Sequence, residues 1–344
     1  MMNLPNSCIA KKMKEFCARI GADPLLVQGA GGNVSWKEGD VLWVKASGTW
    51  LAEAELREIF VPVNLPHLQM AIAKKDFSVA PKVTGDSSLR PSIETLLHAL
   101  MPHKVVVHLH AVEILAHLVR VNAKEKINKL VNNEIKSIFV NYFKPGADLA
   151  KGVSDQLIKN QHADVVFLGN HGVVIGGEDV EKIASTLRML ITILQIKVPH
   201  TMNESRDPTF EPEFLARGYI PCGDKEINQL ATKNSLASRL YEKWALYPDH
   251  VVFLGAEASI LDRSFDSSDL DSVVTTRPPF IFSIGNCVFE SQQVTLAQKV
   301  QLRCYYDVIS RQSNFKDLTT LNKGQIFEIL NWDAEKYRQK APSD

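Results

Sequence analysis

Between residues 7 and 20 the apolar positions Ile9, Met13, Phe16, Cys17 and Ile20 recur at helical spacing, and Gly21 follows as a stop. Gly29-Ala30-Gly31-Gly32 then opens a hairpin, with strands over 34–36 and 41–46 and a turn at Glu38-Gly39-Asp40. Helices are predicted over 64–75 and 92–101, a valine-rich strand over 104–110 and a helix over 112–121. Two further strands, 165–168 and 173–175, flank Gly169-Asn170-His171-Gly172, and a long helix covers 180–197. From Pro199 to Pro221 the pattern breaks, and Pro208, Pro212 and the polar run 203–207 mark a connector. Beyond it a helix is predicted over 225–244, strands over 251–254 and 280–284, and a helix over 293–311. On that last helix Val294, Ala297, Val300, Gln301, Cys304, Tyr305 and Val308 form an apolar stripe too wide for a free surface. Strands and helices intermingle throughout, so the class is α/β, and the hairpins favour a largely antiparallel sheet. The pattern divides the chain into a first unit, 1–203, and a smaller α/β extension, 204–344.

Composition narrows the function classes. The 344 residues are 45% hydrophobic and 23% charged, with 39 basic and 39 acidic side chains. This balance suits a soluble globular protein and disfavours nucleic acid as a partner, since binders of phosphate backbones carry a basic surplus. Five scattered cysteines without a C-x-x-C read as reduced thiols. The N-terminus lacks a signal-peptide core, and the most apolar helical stretch, around 187–198, carries Arg188 and Lys197. A cytoplasmic location away from membranes is therefore expected.

His108 and His110 are two apart on a predicted strand, so both imidazoles share a face at nearly fixed separation. That suits two ligands of one metal ion. Its plainer reading is two half-exposed histidines alternating with a buried Leu109. His171 favours the metal, because a tight turn between small neighbours can aim a third imidazole while leaving a coordination position open. His67, His98, His103, His117, His162, His200 and His250 show no comparable arrangement and read as surface or core histidines. The glycine run has neither the spacing of a dinucleotide-binding fingerprint nor the Gly-Lys-Ser/Thr of a P-loop. It is a flexible turn, or a place where a ligand approaches main-chain amides. Pro91-Ser92-Ile93-Glu94 is predicted to open a helix, with Ser92 available as a cap and the helix amides available to an anion.

Taken together, Gly32-Asn33-Val34-Ser35, Ser47-Gly48, Pro91-Ser92-x-Glu94, His108-x-His110 and Asn170-His171-Gly172 resemble, in order and approximate spacing, the class II aldolase/adducin family over roughly residues 6–200. The resemblance implies a three-layer α/β/α domain with a largely antiparallel central sheet. It also implies a metal-dependent aldolase that makes or breaks a C–C bond in a sugar, phosphorylated in most members, through a metal-stabilised enediolate. The same scaffold serves 4-epimerases, decarboxylases and non-catalytic adducin heads, which stand as alternatives. On this resemblance His108, His110 and His171 match the ligands of Zn2+ or another divalent ion. Glu94 matches the acid/base that also ligates the resting metal, and Asn33, Ser47, Gly48 and Ser92 match the phosphate pocket. Ile93 departs from the family, where a second serine is frequent, and this weakens the phosphate inference. Such aldolases are homo-oligomers of a tetrameric type that draw an acid from a neighbouring subunit. Tyr142 is a candidate for that acid, and its plainer reading is a half-buried aromatic before a turn. Pro248-Asp249-His250 and residues 303–308 resemble the extension of longer bacterial rhamnulose-phosphate-aldolase-like proteins, which usually carry a further dehydrogenase domain not included in these 344 residues.

Overall fold

A computed structural model describes residues 7–132, 134–198 and 211–334. Seven strands form the first sheet: β1 (Asn33–Glu38), β2 (Val41–Lys45), β3 (Phe60–Asn64), β4 (Val105–Leu109), β5 (Ser137–Val140), β6 (Val165–Leu168) and β7 (Gly172–Gly177). Their spatial order is β3-β2-β1-β4-β7-β6-β5, antiparallel except for the β5–β6 pair. A second sheet, in the order β8-β11-β10-β9, joins β8 (Tyr219–Pro221), β9 (Ser259–Leu261), β10 (Phe280–Ser283) and β11 (Val288–Ser291).

The helices of the first unit are α1 (Cys8–Gly21), α2 (Leu65–Ala73), α3 (Thr95–Leu100), α4 (Val112–Leu118), α5 (Ala123–Val131), α6 (Ala147–Leu157) and α7 (Val180–Leu194). Those of the second are α8 (Pro212–Ala216), α9 (Gln229–Thr232), α10 (Asn234–Glu242), α11 (Pro248–Leu254), α12 (Ser267–Thr275), α13 (Leu296–Ser310) and α14 (Lys323–Leu330). Strand alternation sorts the first sheet into two faces. Val105, Val107, Leu109, Phe167, Val173 and Ile175 pack with residues of α1, α4, α5 and α7. On the opposite face Val106, Val166 and Val174 pack with Leu97, Leu149 and Val153, and Leu42 and Val44 pack with Leu65 and Leu96. Helices cover both faces, so the three-layer arrangement and the largely antiparallel sheet are as expected. Among the described residues, no helix is long and apolar enough to cross a membrane.

Several elements depart from the sequence pattern. The expected strand over 251–254 belongs to α11, which has Pro248 in its first turn and is buried along its whole length. The helix expected over 225–244 breaks at Lys233 into α9 and α10. The polar stretch read as a connector holds α8 and β8 beyond Glu211, while the boundary placed at 203/204 lies outside the described residues. Strand β3, helices α5 and α6, and strand β5 were not legible from periodicity.

One apolar cluster runs through both units, combining Val27, Leu115 and Leu118 with Leu240, Trp244, Tyr305 and Val308. Along this seam the Arg311 guanidinium meets Glu113 at 2.9 Å, and Arg120 donates to Gln312 Oε1 at 2.8 Å. The wide stripe of α13 is therefore covered jointly by the first unit and by α11 and Trp244 of the second.

Candidate metal centre

Three different elements bring the histidines together. In β4, His108 points to the face opposite Val107 and Leu109, and the β1–β4 register sets Asn33 beside it. His110 follows directly after β4, and His171 sits in the turn between β6 and β7. One nitrogen from each ring lies within 4.8 Å of the others, and all three side chains are buried. Gly172 makes this approach possible, because a Cβ there would lie 2.5 Å from Leu109 O and 2.9 Å from His110 Cδ2.

Hydrogen-bond chemistry fixes which nitrogens face inward. His108 Nδ1 lies 3.1 Å from the Val173 carbonyl, which can only accept, so Nδ1 carries the proton and Nε2 keeps its lone pair. His110 Nδ1 faces the Asp249 carboxylate at 3.2 Å, and His110 Nε2 lies 3.1 Å from His108 Nε2. The His108 Nε2 lone pair therefore faces His110 Nε2, where it either accepts that ring's proton or shares a cation with it. Burial pushes the His108 imidazole below its ordinary value and takes His171 down to about 3, so both are neutral at pH 7.

Glu94 completes the group, with Oε2 3.5 Å from His108 Nε2 and Oε1 3.5 Å from His171 Nε2. Burial raises its carboxyl, while positive charge on the facing imidazoles of His108, His171 and His110, with His98 behind them, would draw it down to about 2. Asn33 Nδ2 donates to Oε2 at 2.8 Å, whereas buried Oε1 has no hydrogen-bond partner among the described residues. Three inward imidazole nitrogens and an ionised carboxylate with an uncommitted oxygen fit a divalent cation.

Residues 12–198, more than half of the chain, match the Class II Aldolase and Adducin N-terminal domain. The chain belongs to this family. It is 25% identical over 189 residues to an L-fuculose phosphate aldolase of Methanococcus maripaludis, covering 52% of this chain and 90% of that protein. It is also 32% identical over 178 residues to YuxG of Bacillus subtilis, described as an uncharacterized oxidoreductase, covering 47% of this chain. The chain spans 25% of the length of that relative. Among solved structures, the N-terminal class II aldolase domain of a Thermoplasma acidophilum protein aligns with a TM-score of 0.47 and 25% identity, over 57% of this chain and 95% of that one.

Around the histidine cluster lies a narrow recess lined by Asn33, Ser47, Gly48, Ser92, Glu94, His110 and His171, with His108 buried behind it. The structure thus gathers every sequence-derived site residue except Tyr142. Tyr142, offered as an acid for a neighbouring subunit's site, is half-buried in its own chain against a cluster that includes Ala245, Val251 and Ile329. The anion site expected at a helix start also changes. Helix α3 begins only at Thr95, and Ser92 Oγ accepts the Glu94 N–H at 3.2 Å, so that amide is already engaged.

Two recess residues were missed. Lys45 is 1% exposed and donates to Ala30 O at 3.0 Å, which places a positive charge beneath the glycine run. A lysine between Val44 and Ala46, next to Ser47-Gly48, was a readable signal. Asp249 arrives from α11 of the second unit, and the sequence marked it only within Pro248-Asp249-His250, not as a site residue.

Proposed function

We propose that this chain is a class II, metal-dependent aldolase-type lyase that makes or breaks a C–C bond in a sugar, with a sugar phosphate as the favoured substrate class. The convergence of His108, His110 and His171 on one point, with ionised Glu94 3.5 Å from two of them, carries the reading. The donor set suits Zn2+, which when bound would act as a Lewis acid toward adjacent substrate oxygens.

The chain's own residues supply the rest. Asn33 restrains Glu94 through Oε2, leaving Oε1 as the atom that takes or returns the substrate proton. Lys45, Ser47, Gly48 and the Ser92 hydroxyl line the same recess, where a cation and small polar groups orient an anionic substrate end relative to Glu94. Half-buried Ile93 and buried Pro145 beside them limit water around the reacting carbons.

The test combines metal analysis with a screen of sugar phosphates for cleavage. Purified protein is expected to hold about one zinc ion per chain, and His110→Ala or His171→Ala to empty the site. Glu94→Gln should keep most of the metal while turnover falls roughly 100- to 10,000-fold. Stoichiometric metal in a variant lacking both histidines would sink the ligand assignment. Near-normal turnover in Glu94→Gln would move the base elsewhere. Inorganic phosphate should compete with substrate, less so in Ser92→Ala.

A further inference from the structure

The outward nitrogens of the three clustered imidazoles are held unequally. His108 Nδ1 leans on a carbonyl of its own sheet, whereas among the described residues neither His171 Nδ1 nor His110 Nδ1 has a partner in hydrogen-bond geometry. Only His110 faces a charged group, and that group comes from the second unit. Asp249 Oδ2 lies 3.2 Å from His110 Nδ1, with the residues only 2% and 4% exposed.

The surroundings are shaped for this contact. Gly31 lies under both groups, and a Cβ there would stand 3.1 Å from Asp249 Oδ2 and 3.4 Å from His110 Nδ1. Any side chain at position 31 would wedge into the pair. Next door, Gly29 at φ +57 packs against Ala297 and Val300 of α13, so the second unit also backs the glycine run. Helix α11 is itself fixed, since Val251, Val252 and Phe253 are buried with Leu321 and Ile329. Asp249 is thus a rigidly presented carboxylate, not a mobile surface acid.

We propose that Asp249 is a positioning residue of the metal centre: its carboxylate, 3.2 Å from His110 Nδ1, sets the orientation of that ring and thereby keeps His110 Nε2 turned toward the ligand cluster. The inference rests on the reading of His108, His110 and His171 as ligands. Carboxylates behind metal-bound imidazoles fix ring orientation and raise ligand basicity, and their removal typically weakens metal binding by about 10- to 100-fold. The centre is then shared between the two units. By linkage, a metal that binds better when α11 is docked must also tighten that docking.

The experiment measures zinc affinity of the full chain by competition with a fluorescent chelator, comparing the unmodified protein with Asp249→Asn and Asp249→Ala. The amide oxygen of asparagine can face Nδ1 in the same way but carries no charge, so Asp249→Asn should fall between the unmodified chain and Asp249→Ala. The alanine variant should bind roughly 10- to 100-fold more weakly, and the visible spectrum of its cobalt form should change. Melting temperatures without metal separate this loss from unfolding. In the unmodified chain, zinc should also slow amide exchange across 248–254, a readout that decides the matter if neither variant folds. Zinc uptake by the unmodified chain with the same affinity in both variants, or no slowing in α11, overturns this inference alone. No uptake by the unmodified chain, with or without the variants, overturns the ligand reading itself.

Discussion

His250 sits one residue beyond Asp249 with both ring nitrogens unpartnered, enclosed by Trp244, Tyr305 and Tyr247 at 4.4, 4.8 and 5.5 Å between ring centroids. Complete burial takes its imidazole from the ordinary 6.5 down to about 3. The folded chain therefore binds fewer protons at this residue than the unfolded chain below pH 6.5. Stability is fully present above that pH and declines as pH falls toward 3. At pH 5 the loss from this one group is about 2 kcal/mol. His250→Phe is expected to remove that share of the acid sensitivity, read as a smaller drop in urea midpoint between pH 7.5 and 5. An unchanged drop would mean that His250 is protonated in the fold. Gly21 carries a different lesson at the same scale. Its sequence position suggested a helix stop, yet it is the last residue of α1, and a Cβ there would lie 2.2 Å from Ala52 N. Its smallness serves contact between segments, not chain reversal.

At the scale of elements, the turn between β6 and β7 shows how a ligand is aimed. Asn170 adopts φ +50, a conformation that asparagine tolerates better than most residues, and this turns the chain so that His171 faces the cluster. Its side-chain amide donates to Leu246 O at 2.9 Å and to Thr319 O at 2.8 Å, both in the second unit. Asn170→Gly keeps the backbone conformation but leaves two carbonyls unmet, and is expected to cost about 1–3 kcal/mol. Asn170→Ala adds left-handed strain of roughly 1 kcal/mol or more. Denaturant midpoints in the order unmodified, glycine, alanine would bear this out, whereas unmodified stability in both variants would show the tether to be idle. Helix α11 illustrates how an element is misread. Four apolar residues, two of them valines, look like a buried strand, and runs this short do not separate strand from buried helix by periodicity. Pro248 in the first turn was the local sign of a helix start.

For the whole molecule, the shared apolar cluster decides how the units behave. Fully burying one Val or Leu side chain contributes about 1.5–3 kcal/mol, so a seam containing Leu115, Leu118, Trp244, Tyr305 and Val308 outweighs the few polar contacts across it. The units should therefore unfold together. Thermal unfolding followed by near-UV circular dichroism and by calorimetry is expected to give one coincident transition. Two resolved transitions, one of which leaves zinc bound, would show the second unit to be a separable module and would weaken the case for Asp249.

Much of the candidate site was legible because its clustered histidines lie in short local patterns. Alternation on one strand put His108 and His110 on a common side, and the small residues around His171 left room for its approach to them. Amphipathic spacing likewise determined α1, α7 and α13, and valine-rich runs marked β4 and β6. Where neighbours on both sides are apolar, or where an element is short, periodicity carries little information, which is why β3, α6 and α11 were missed or misread. Only the tertiary structure decided that Glu94 lies against two histidines while Asn33 restrains it, that Lys45 sits beneath the glycine run, and that Tyr142 packs elsewhere. Asp249 is the extreme case, since it stands 139 positions from His110 in the chain yet 3.2 Å from it in space. Nothing local requires that meeting. It follows from the burial of α11 and α13 against the first unit, a global packing outcome that no window of sequence contains.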